Sequence, residues 1–199
     1  MKTYRPTTPS KRHQTTVSYR NVLTKSEPTK SLTKGFKRSV GRNNQGRITT
    51  RHKGGGHKRL YRDVDFMYNK HDIPAKITSI EYDPNRNAFI GLAVYADGEK
   101  RYVIVPKSIK VGDKFIVGEK APLTVANRIP LKLIPVGTFV YNIEIKQGGG
   151  GKLARSAGVF AQVVANDGGY TNIKMPSTEV RKVSENCYAC IGEVSNSEY

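Results

Sequence analysis

The stretch AFIGLAVYADGEKRYVIVP, residues 88–106, predicts two β-strands joined by a tight turn. Its two ends are runs of β-branched and aromatic residues, and Asp97-Gly98 lies between them. An Asp-Gly pair is a strong hairpin signal, since a type I′ turn needs positive φ at both central residues. The stretch therefore predicts a hairpin with Asp97 and Gly98 in its turn.

Short runs of the same kind, bounded by turn residues, lie on both sides of this hairpin. With the hairpin, a first set of strands contains LYRDVDFMY (60–68), AKITSIEYD (75–83), KFIVG (114–118) and ANRIPLKL (126–133). A second set contains TFVYNIEIK (138–146), VFAQVVANDGGYTNIKM (159–175), EVRKVS (179–184) and CYACIGEV (187–194). Asp167-Gly168-Gly169 predicts another hairpin turn. Pro130 and Pro135 lie between the sets and indicate a boundary near residue 130.

No window of the sequence shows the apolar period of an amphipathic helix of ten or more residues. About five strands in each of two consecutive sets fit two small barrels. We therefore predict an all-β fold in which an OB-like barrel (residues 60–129) is followed by an SH3-like barrel (residues 130–199).

Positive charge is concentrated at the N-terminal end of the chain. Residues 1–62 contain 8 Lys and 9 Arg but a single acid, Glu27, and so carry +16 of the net charge of +18. This excess is more than solubility requires and indicates a polyanionic partner, with nucleic acid as the first candidate. The apolar residues of this part follow neither a strand nor a helix period: Val17, Val22, Leu23, Leu32, Phe36, Val40 and Ile48. We expect residues 1–59 to form a long extended basic arm, disordered in isolation and ordered by its partner.

RHKGGGHKR, residues 51–59, surrounds three glycines with cationic side chains. Glycines allow backbone N–H groups to turn inward as an anion nest, and they let a phosphate approach the chain closely. Arg binds phosphate through two parallel hydrogen bonds, and Lys supplies a compact charge. The stretch therefore suits a crowded phosphate environment; the alternative is a solvated linker that is basic by chance.

QGGGGKLARSAG, residues 147–158, is a second stretch of this kind. It is not a Walker A loop, because position 146 is Lys where the motif needs Gly, and position 153 is Leu where it needs Ser or Thr. It also lacks the Rossmann spacing, so neither ATP nor NAD is an expected cofactor. We expect Lys152 and Arg155 to converge beside the glycines on a phosphate; the alternative is a flexible loop.

Asp83-Pro84-Asn85 has turn chemistry and predicts that Arg86 projects from the tip of a hairpin in the first barrel. Tyr102, Tyr170 and Phe160 have rings that can stack on bases, but their alternating strand positions favour the core.

Cys187 and Cys190 form at most half of a zinc ribbon, because a structural site needs four ligands. The four histidines have no metal spacing to them: His13, His52, His57 and His71. We expect both cysteines to be small hydrophobic residues of the last strand. No nucleophile elbow or metal cluster is visible and the carboxylates are dispersed, so we predict no enzymatic activity, no cofactor and no metal.

Two cysteines are too few for a disulfide framework and are typical of a reducing compartment. The first residues contain no apolar run of the signal-peptide type, and no run of 18 apolar residues follows. We therefore expect a soluble intracellular protein.

Several motifs in order closely resemble the universal ribosomal protein L2 family, in its bacterial or organellar form: GRNNQGRITTRHKGGGHKR, EYDPNR, IPVG, GGKLARSAG and GEVSN. The resemblance covers almost the whole chain. It implies a basic N-terminal extension threaded into large-subunit ribosomal RNA, followed by an OB-like and an SH3-like barrel. It also implies roles in subunit assembly, in subunit association with contact to the small subunit, and near the peptidyl transferase centre.

Arg86 and Arg155 match positions that this family uses to bind ribosomal RNA. With the two glycine-rich stretches, the residues expected to bind RNA are Arg42, Asn43, Arg47, Arg51, His52, Lys53, Gly54, Gly55, Gly56, His57, Lys58, Arg59, Arg62, Arg86, Gly149, Gly150, Lys152 and Arg155. The implied partners are large-subunit ribosomal RNA and neighbouring ribosomal proteins, in a cytoplasmic or organellar ribosome.

Members of the family continue past GEVSN as a glycine-rich basic tail, whereas this sequence ends at Tyr199, so no role of that tail is assigned here. Two alternatives remain open at this stage. One is a free RNA chaperone or translation factor with the same tandem barrels. The other is a metal- or nucleotide-dependent enzyme, which would need ligands or a phosphate loop that the sequence does not show.

Overall fold

The computed structural model describes residues 1–35 and 40–199, and in this part of the chain the structure is almost entirely β. One short helix, α1, spans Pro9–Arg12, and single 3₁₀ turns span Tyr19–Asn21, Lys30–Leu32 and Leu131–Leu133. The strands are β1 (Lys2–Thr3), β2 (Thr15–Thr16), β3 (Thr33–Gly35), β4 (Leu60–Arg62), β5 (Ala75–Glu81), β6 (Ile90–Tyr95), β7 (Lys100–Ile104), β8 (Lys114–Phe115), β9 (Arg128–Pro130), β10 (Phe139–Tyr141), β11 (Ile143–Glu144), β12 (Gly151–Leu153), β13 (Ala161–Asp167), β14 (Tyr170–Lys174), β15 (Val180–Ser184) and β16 (Tyr188–Ile191). None of the helices in the described ranges is long and apolar enough to cross a bilayer.

The first barrel is built on an antiparallel sheet in the order β7-β6-β5-β8. Strand β5 alternates between buried and exposed residues over its first half, as expected of a strand with one face in the core. The segment after β4 continues along β7, where Val64 bridges Tyr102. At Gly91 the strands approach so closely that a Cβ atom would lie 2.5 Å from Val105 Cγ1.

The second barrel is built on a sheet in the order β15-β14-β13-β10-β16-β9, with the ribbon β11-β12 beside it. Together the two units confirm the prediction of an all-β fold consistent with an OB-like barrel followed by an SH3-like barrel.

Strand β9 joins the two units. The expectation that ANRIPLKL (126–133) completes the first set of strands is wrong, because β9 pairs along its length with β16. The backbone of Arg128 also exchanges hydrogen bonds with Ile116 and Gly118 of the first barrel, at 3.1 Å each. All three residues of β9 are buried, since the strand lies between both barrels. A run of buried residues carries no signal about which neighbour it pairs with.

Two hairpin turns were predicted and both are present. Gly168 and Gly169 have φ of +56° and +82° between paired Asp167 and Tyr170, which is the two-residue loop expected. In the β6–β7 hairpin only Gly98 has positive φ, and its N–H donates to Tyr95 O at 2.9 Å. The turn is therefore a tight turn closed by a left-handed glycine, and the type I′ geometry expected for Asp97-Gly98 is wrong.

Part of the predicted N-terminal arm contacts the first barrel. Strand β3 pairs with β4, and the Thr24 N–H donates to Ile80 O at 3.0 Å. Half-buried side chains of Tyr19, Leu23 and Leu32 pack on the core. Because these contacts are made by isolated residues, no periodic pattern in the sequence predicted them. Phe36, another apolar residue of the predicted arm, lies outside the described residues.

Candidate nucleic-acid interface

The connection between β5 and β6 holds Arg86 against the first barrel. The Asp83 side chain is fully buried, and its Oδ1 accepts a hydrogen bond from the Asn85 N–H at 2.9 Å. Its Oδ2 accepts from Arg86 Nε at 2.6 Å. The sequence placed Arg86 at the tip of this connection, but the side chain is only 19% exposed and does not project freely. Its guanidinium lies over the ring of Phe66, with Cζ 5.3 Å from the ring centroid.

Arg155 reaches the same ring from the second barrel. It follows β12, and its Nη1 donates to Gly151 O at 3.2 Å. Its Cζ lies 4.5 Å from the centroid of Phe66. Partial burial and the neighbouring Arg86 charge lower the pKa of Arg155. Among the described residues, no carboxylate forms an ion pair with Arg155.

These side chains line an open cleft of about 540 Å³ between loops of the two barrels, which we call the arginine cleft: Tyr61, Phe66, Asn85, Arg86, Asn87, Arg155 and Ser156. Its lining offers guanidinium, amide and hydroxyl donors around the aromatic rings of Tyr61 and Phe66. Asp83 pairs with one of the two guanidiniums, so the cleft keeps an excess of positive charge. Such a site is suited to an anion.

A buried ion pair between β9 and β11 contributes to the contact between the two barrels. Arg128 Nη2 donates to Glu144 Oε1 at 2.9 Å, and both side chains are almost fully buried. The same guanidinium donates to Asn142 O at 2.7 Å and lies 4.8 Å from the ring centroid of Tyr68 in the first barrel. A buried ion pair is stable only when its hydrogen bonds are satisfied, and this pair has such partners in both units. These contacts of Arg128 help to keep the two barrels, and with them Arg86 and Arg155, in fixed relative positions.

The glycines at 149–151 are packed, whereas Gly148 is exposed. The Gly151 N–H donates to Phe66 O at 2.8 Å. A Cβ atom at Gly150 would lie 2.9 Å from Phe66 O, and one at Gly151 would lie 2.0 Å from Asn142 Oδ1. Gly150 is buried and Gly149 half-buried, so both have a packing role. Lys152 is exposed and pairs with no carboxylate in the described ranges.

Residues 41–59, which we call the basic segment, begin with a closed turn. Arg42 bridges Ile48, and Arg42 Nη1 donates to Gly46 O at 3.1 Å. The Asn43 side chain accepts from the Arg47 N–H at 2.9 Å. Asn43 is therefore a structural residue of this turn, and the exposed Arg42 side chain also helps to close it.

The glycine triplet of the basic segment is open. Every residue from 51 to 58 is exposed, and His52, Gly54 and Gly55 have positive φ. No atom lies within 4 Å of a Cβ placed at Gly55, in contrast to Gly150 and Gly151. The exposed cations of the segment have no ion pair with a described carboxylate: Arg42, Arg47, Arg51, Lys53 and Lys58.

Arg59 connects the basic segment to the arginine cleft, whereas Arg62 does not. Arg59 Nη1 donates to Pro84 O at 2.8 Å, and Asn85 Nδ2 donates to Leu60 O at 3.0 Å. Arg62 is buried in β4 and donates to Leu60 O, so its guanidinium is not a surface group. The structure therefore brings Arg59 and Arg86 to one surface and leaves Arg62 below it.

Sequence reasoning missed the central residue of the cleft. Phe66 lies within LYRDVDFMY, a run interpreted as strand, yet β4 ends at Arg62 and Phe66 lies in the connection that follows. Its half-burial beside two guanidiniums depends on loops from both barrels. No local pattern carries that information.

The aromatic residues considered for base stacking separate into two groups. Tyr102 is buried and donates to Glu81 Oε2 at 2.5 Å, as the core interpretation predicted. Phe160 and Tyr170 are 39% and 45% exposed, so that interpretation is wrong for them. Phe160 lies against Phe139 outside the core, and Tyr170 flanks the β13–β14 turn.

Cys187 and Cys190 are buried as free thiols, as expected of small hydrophobic residues. Burial raises the pKa of the Cys187 thiol. In residues 1–35 and 40–199, no three His, Cys, Asp or Glu side chains are grouped so that they could hold a metal ion.

Two family models match the chain over consecutive ranges. Residues 29–117 match the model described as Ribosomal Proteins L2, RNA binding N-terminal domain. Residues 124–199 match the model described as Ribosomal Proteins L2, C-terminal domain. Phe66 and Arg86 lie in the first range and Arg155 in the second, so the arginine cleft is formed where the two matched domains meet.

Proposed function

Since the chain belongs to the ribosomal protein L2 family, we propose that it binds 23S-type ribosomal RNA through the arginine cleft and the basic segment. As a member of that family it is a large-subunit ribosomal protein with an RNA-binding N-terminal domain, and its role is structural. Its partners are ribosomal RNA and other proteins of the large subunit.

The observation that carries the proposal is the convergence of Arg86 and Arg155 from two barrels on one open cleft with excess positive charge. Double-stranded RNA is recognised mainly by its shape, its backbone and its 2′-hydroxyl groups. Two guanidiniums held in fixed positions are suited to this kind of recognition, since they set the register of a phosphate backbone without reading bases.

The basic segment has a different task in this proposal. Its exposed cations neutralise phosphates where RNA helices crowd together, and its glycines let the backbone approach them. The residues proposed to contact RNA there are Arg42, Arg47, Arg51, His52, Lys53, Gly54, Gly55, Gly56, His57, Lys58 and Arg59. Lys152 extends the same surface on the second barrel.

In the ribosome, this binding supports subunit assembly and the architecture near the peptidyl transferase centre. Subunit association, with contact to the small subunit, belongs to the same proposal. The ribosome concerned is cytoplasmic or organellar.

The test is a filter-binding comparison of Arg155→Ala with the wild-type chain. A charge-assisted hydrogen bond contributes about 1.5 to 3 kcal/mol, so affinity for a transcript of large-subunit ribosomal RNA should fall about ten- to a hundredfold. Arg181→Ala, which removes an exposed arginine paired with Glu179 on β15, is the matched control and should change affinity little.

A transcript of small-subunit ribosomal RNA serves as the comparison RNA. The proposal expects Arg155→Ala to weaken binding to the large-subunit transcript selectively. Equal losses on both transcripts would contradict a register-setting role of the cleft.

A further inference from the structure

The guanidiniums of both arginines of the cleft lie close to one aromatic ring, that of Phe66. The Cζ atoms of Arg86 and Arg155 lie 5.3 Å and 4.5 Å from the centroid of Phe66. They therefore cannot be more than 9.8 Å apart, although they belong to different barrels. A cation over an aromatic face is attracted by the ring quadrupole, which favours these positions for both guanidiniums.

The backbone of Phe66 is itself held by the packed glycines. Its carbonyl accepts the Gly151 N–H at 2.8 Å, and at Gly150 a Cβ atom would come within 2.9 Å of the same oxygen. Only a residue without a side chain permits this approach. The second glycine-rich stretch thus fixes the loop that carries the ring.

The two guanidiniums repel each other on the ring. Asp83 compensates Arg86 through its 2.6 Å contact, whereas no described carboxylate pairs with Arg155. The open side of the cleft is where an anion can supply the counter-charge that Arg155 lacks.

We propose that Phe66 is a positioning residue that holds Arg86 and Arg155 against the same short stretch of RNA phosphate backbone. The inference rests on the proposed RNA-binding function and names both the chemical class bound at the cleft and the residue that organises it. The ring acts through the two guanidiniums and does not stack on a base.

The lining of the cleft favours backbone over base. The Cζ atoms of both arginines lie within 5.3 Å of the ring centroid, so a stacked base would compete with the guanidiniums for the ring. The side chains of Asn85, Asn87 and Ser156 add hydrogen-bond donors that suit phosphate and ribose oxygens.

The experiment compares Phe66→Leu, Phe66→Tyr and the wild-type chain for binding to the large-subunit ribosomal RNA transcript. Phe66→Leu removes the ring from both guanidiniums, and the absence of two exposed cation–π interactions corresponds to an affinity about five- to thirtyfold weaker. Phe66→Tyr keeps the ring and should bind within about twofold of wild type. Phe160→Leu removes another half-exposed ring, which packs on Phe139, and should leave binding unchanged.

The same substitution in an Arg155→Ala background separates positioning from stacking. If Phe66 acts through the arginines, Phe66→Leu should cost only about two- to fivefold there, because a single guanidinium remains to be positioned. An undiminished loss would mean that the ring contacts RNA itself and would overturn the proposal. A second result would also overturn the proposal: Phe66→Leu binds RNA as tightly as the wild-type chain while Arg155→Ala binds more weakly. That result would leave the proposed function intact.

Thermal melts by circular dichroism establish that the variants are folded. If Phe66→Leu is not, NMR of the wild-type chain gives the answer without it. The Nε proton of Arg155 should be shifted upfield by the ring current in the free protein and remain so with the RNA bound. Loss of this shift on binding would show that a base has displaced the guanidinium, and would contradict the proposal.

Discussion

The two glycine-rich basic stretches look alike in sequence and differ in structure. In residues 51–59 the glycines are exposed, and a Cβ atom at Gly55 would meet nothing within 4 Å. In residues 147–158 the glycines at 150 and 151 are buried, and a Cβ atom at either would overlap neighbouring atoms. The first stretch is therefore open to solvent, whereas Gly150 and Gly151 of the second are packed against their own protein.

The difference teaches that a glycine run beside cations has two distinct physical uses. In the basic segment it leaves the backbone accessible to a binding partner. In the second barrel it lets the chain approach Phe66 closely and thereby positions Arg155. Both stretches expose cationic side chains. In the first they lie on an open segment, and in the second they lie on a loop whose glycines are packed.

The largest effect is expected from neutralising the basic segment. We predict that replacing Arg42, Arg47, Arg51, Lys53 and Lys58 with Gln lowers affinity for ribosomal RNA at about 100 mM salt by roughly a thousandfold. The slope of log affinity against log salt should fall by about 4, since each phosphate contact contributes about 0.7 to 0.9. Filter binding across a range of roughly 50 to 500 mM salt measures both quantities. The free energy of unfolding should change little, because these side chains are exposed and have no described ion pairs.

A control variant carries five Lys→Gln changes on the barrels instead, at the exposed positions Lys76, Lys110, Lys114, Lys120 and Lys174. Its net charge equals that of the first variant, so a purely global charge effect would make the two indistinguishable. That result would contradict a special role for the basic segment.

A smaller effect is expected from adding one methyl group to each stretch. We predict that Gly151→Ala lowers the free energy of unfolding by about 3 kcal/mol, because its Cβ atom would lie 2.7 Å from the backbone oxygen of Asn142. Asn142 is buried and its carbonyl accepts from Arg128, so it cannot move aside easily. Gly55→Ala meets no neighbour and bears only the strain of positive φ, about 1 kcal/mol.

Urea denaturation followed by circular dichroism measures this difference. Equal destabilisation by the two substitutions would remove the contrast between an open and a packed glycine stretch.

The sequence was sufficient for the fold class because strand signals are local. Alternating and β-branched runs with Gly-rich turns predicted the β6–β7 and β13–β14 hairpins, and the structure contains both. Where the outcome depended on tertiary pairing, the prediction was wrong. Strand β9 joins β16, since a fully buried run does not specify its partner.

The sequence predicted which charged residues form the site, but it did not predict how they come together. Arg86 and Arg155 were identified from their motifs, and the structure brings them onto one ring. Phe66 could not be found, because its role arises from two loops that are distant from it in the sequence. Arg62 was expected at the interface but is buried in β4. The residue type alone does not determine which way a side chain points.

We propose that RNA orders the first glycine stretch, whereas the protein itself orders the second. In residues 51–58 no backbone N–H donates to a described residue, whereas the N–H groups of Gly149 and Gly151 donate to Lys146 O and Phe66 O. Hydrogen exchange of the full chain, measured by mass spectrometry with and without the large-subunit transcript, tests this directly. Residues 51–58 should exchange within seconds in the free chain and slowly with RNA, and residues 148–153 slowly in both states. Slow exchange of residues 51–58 in the free chain, or no change on RNA binding, would contradict the claim.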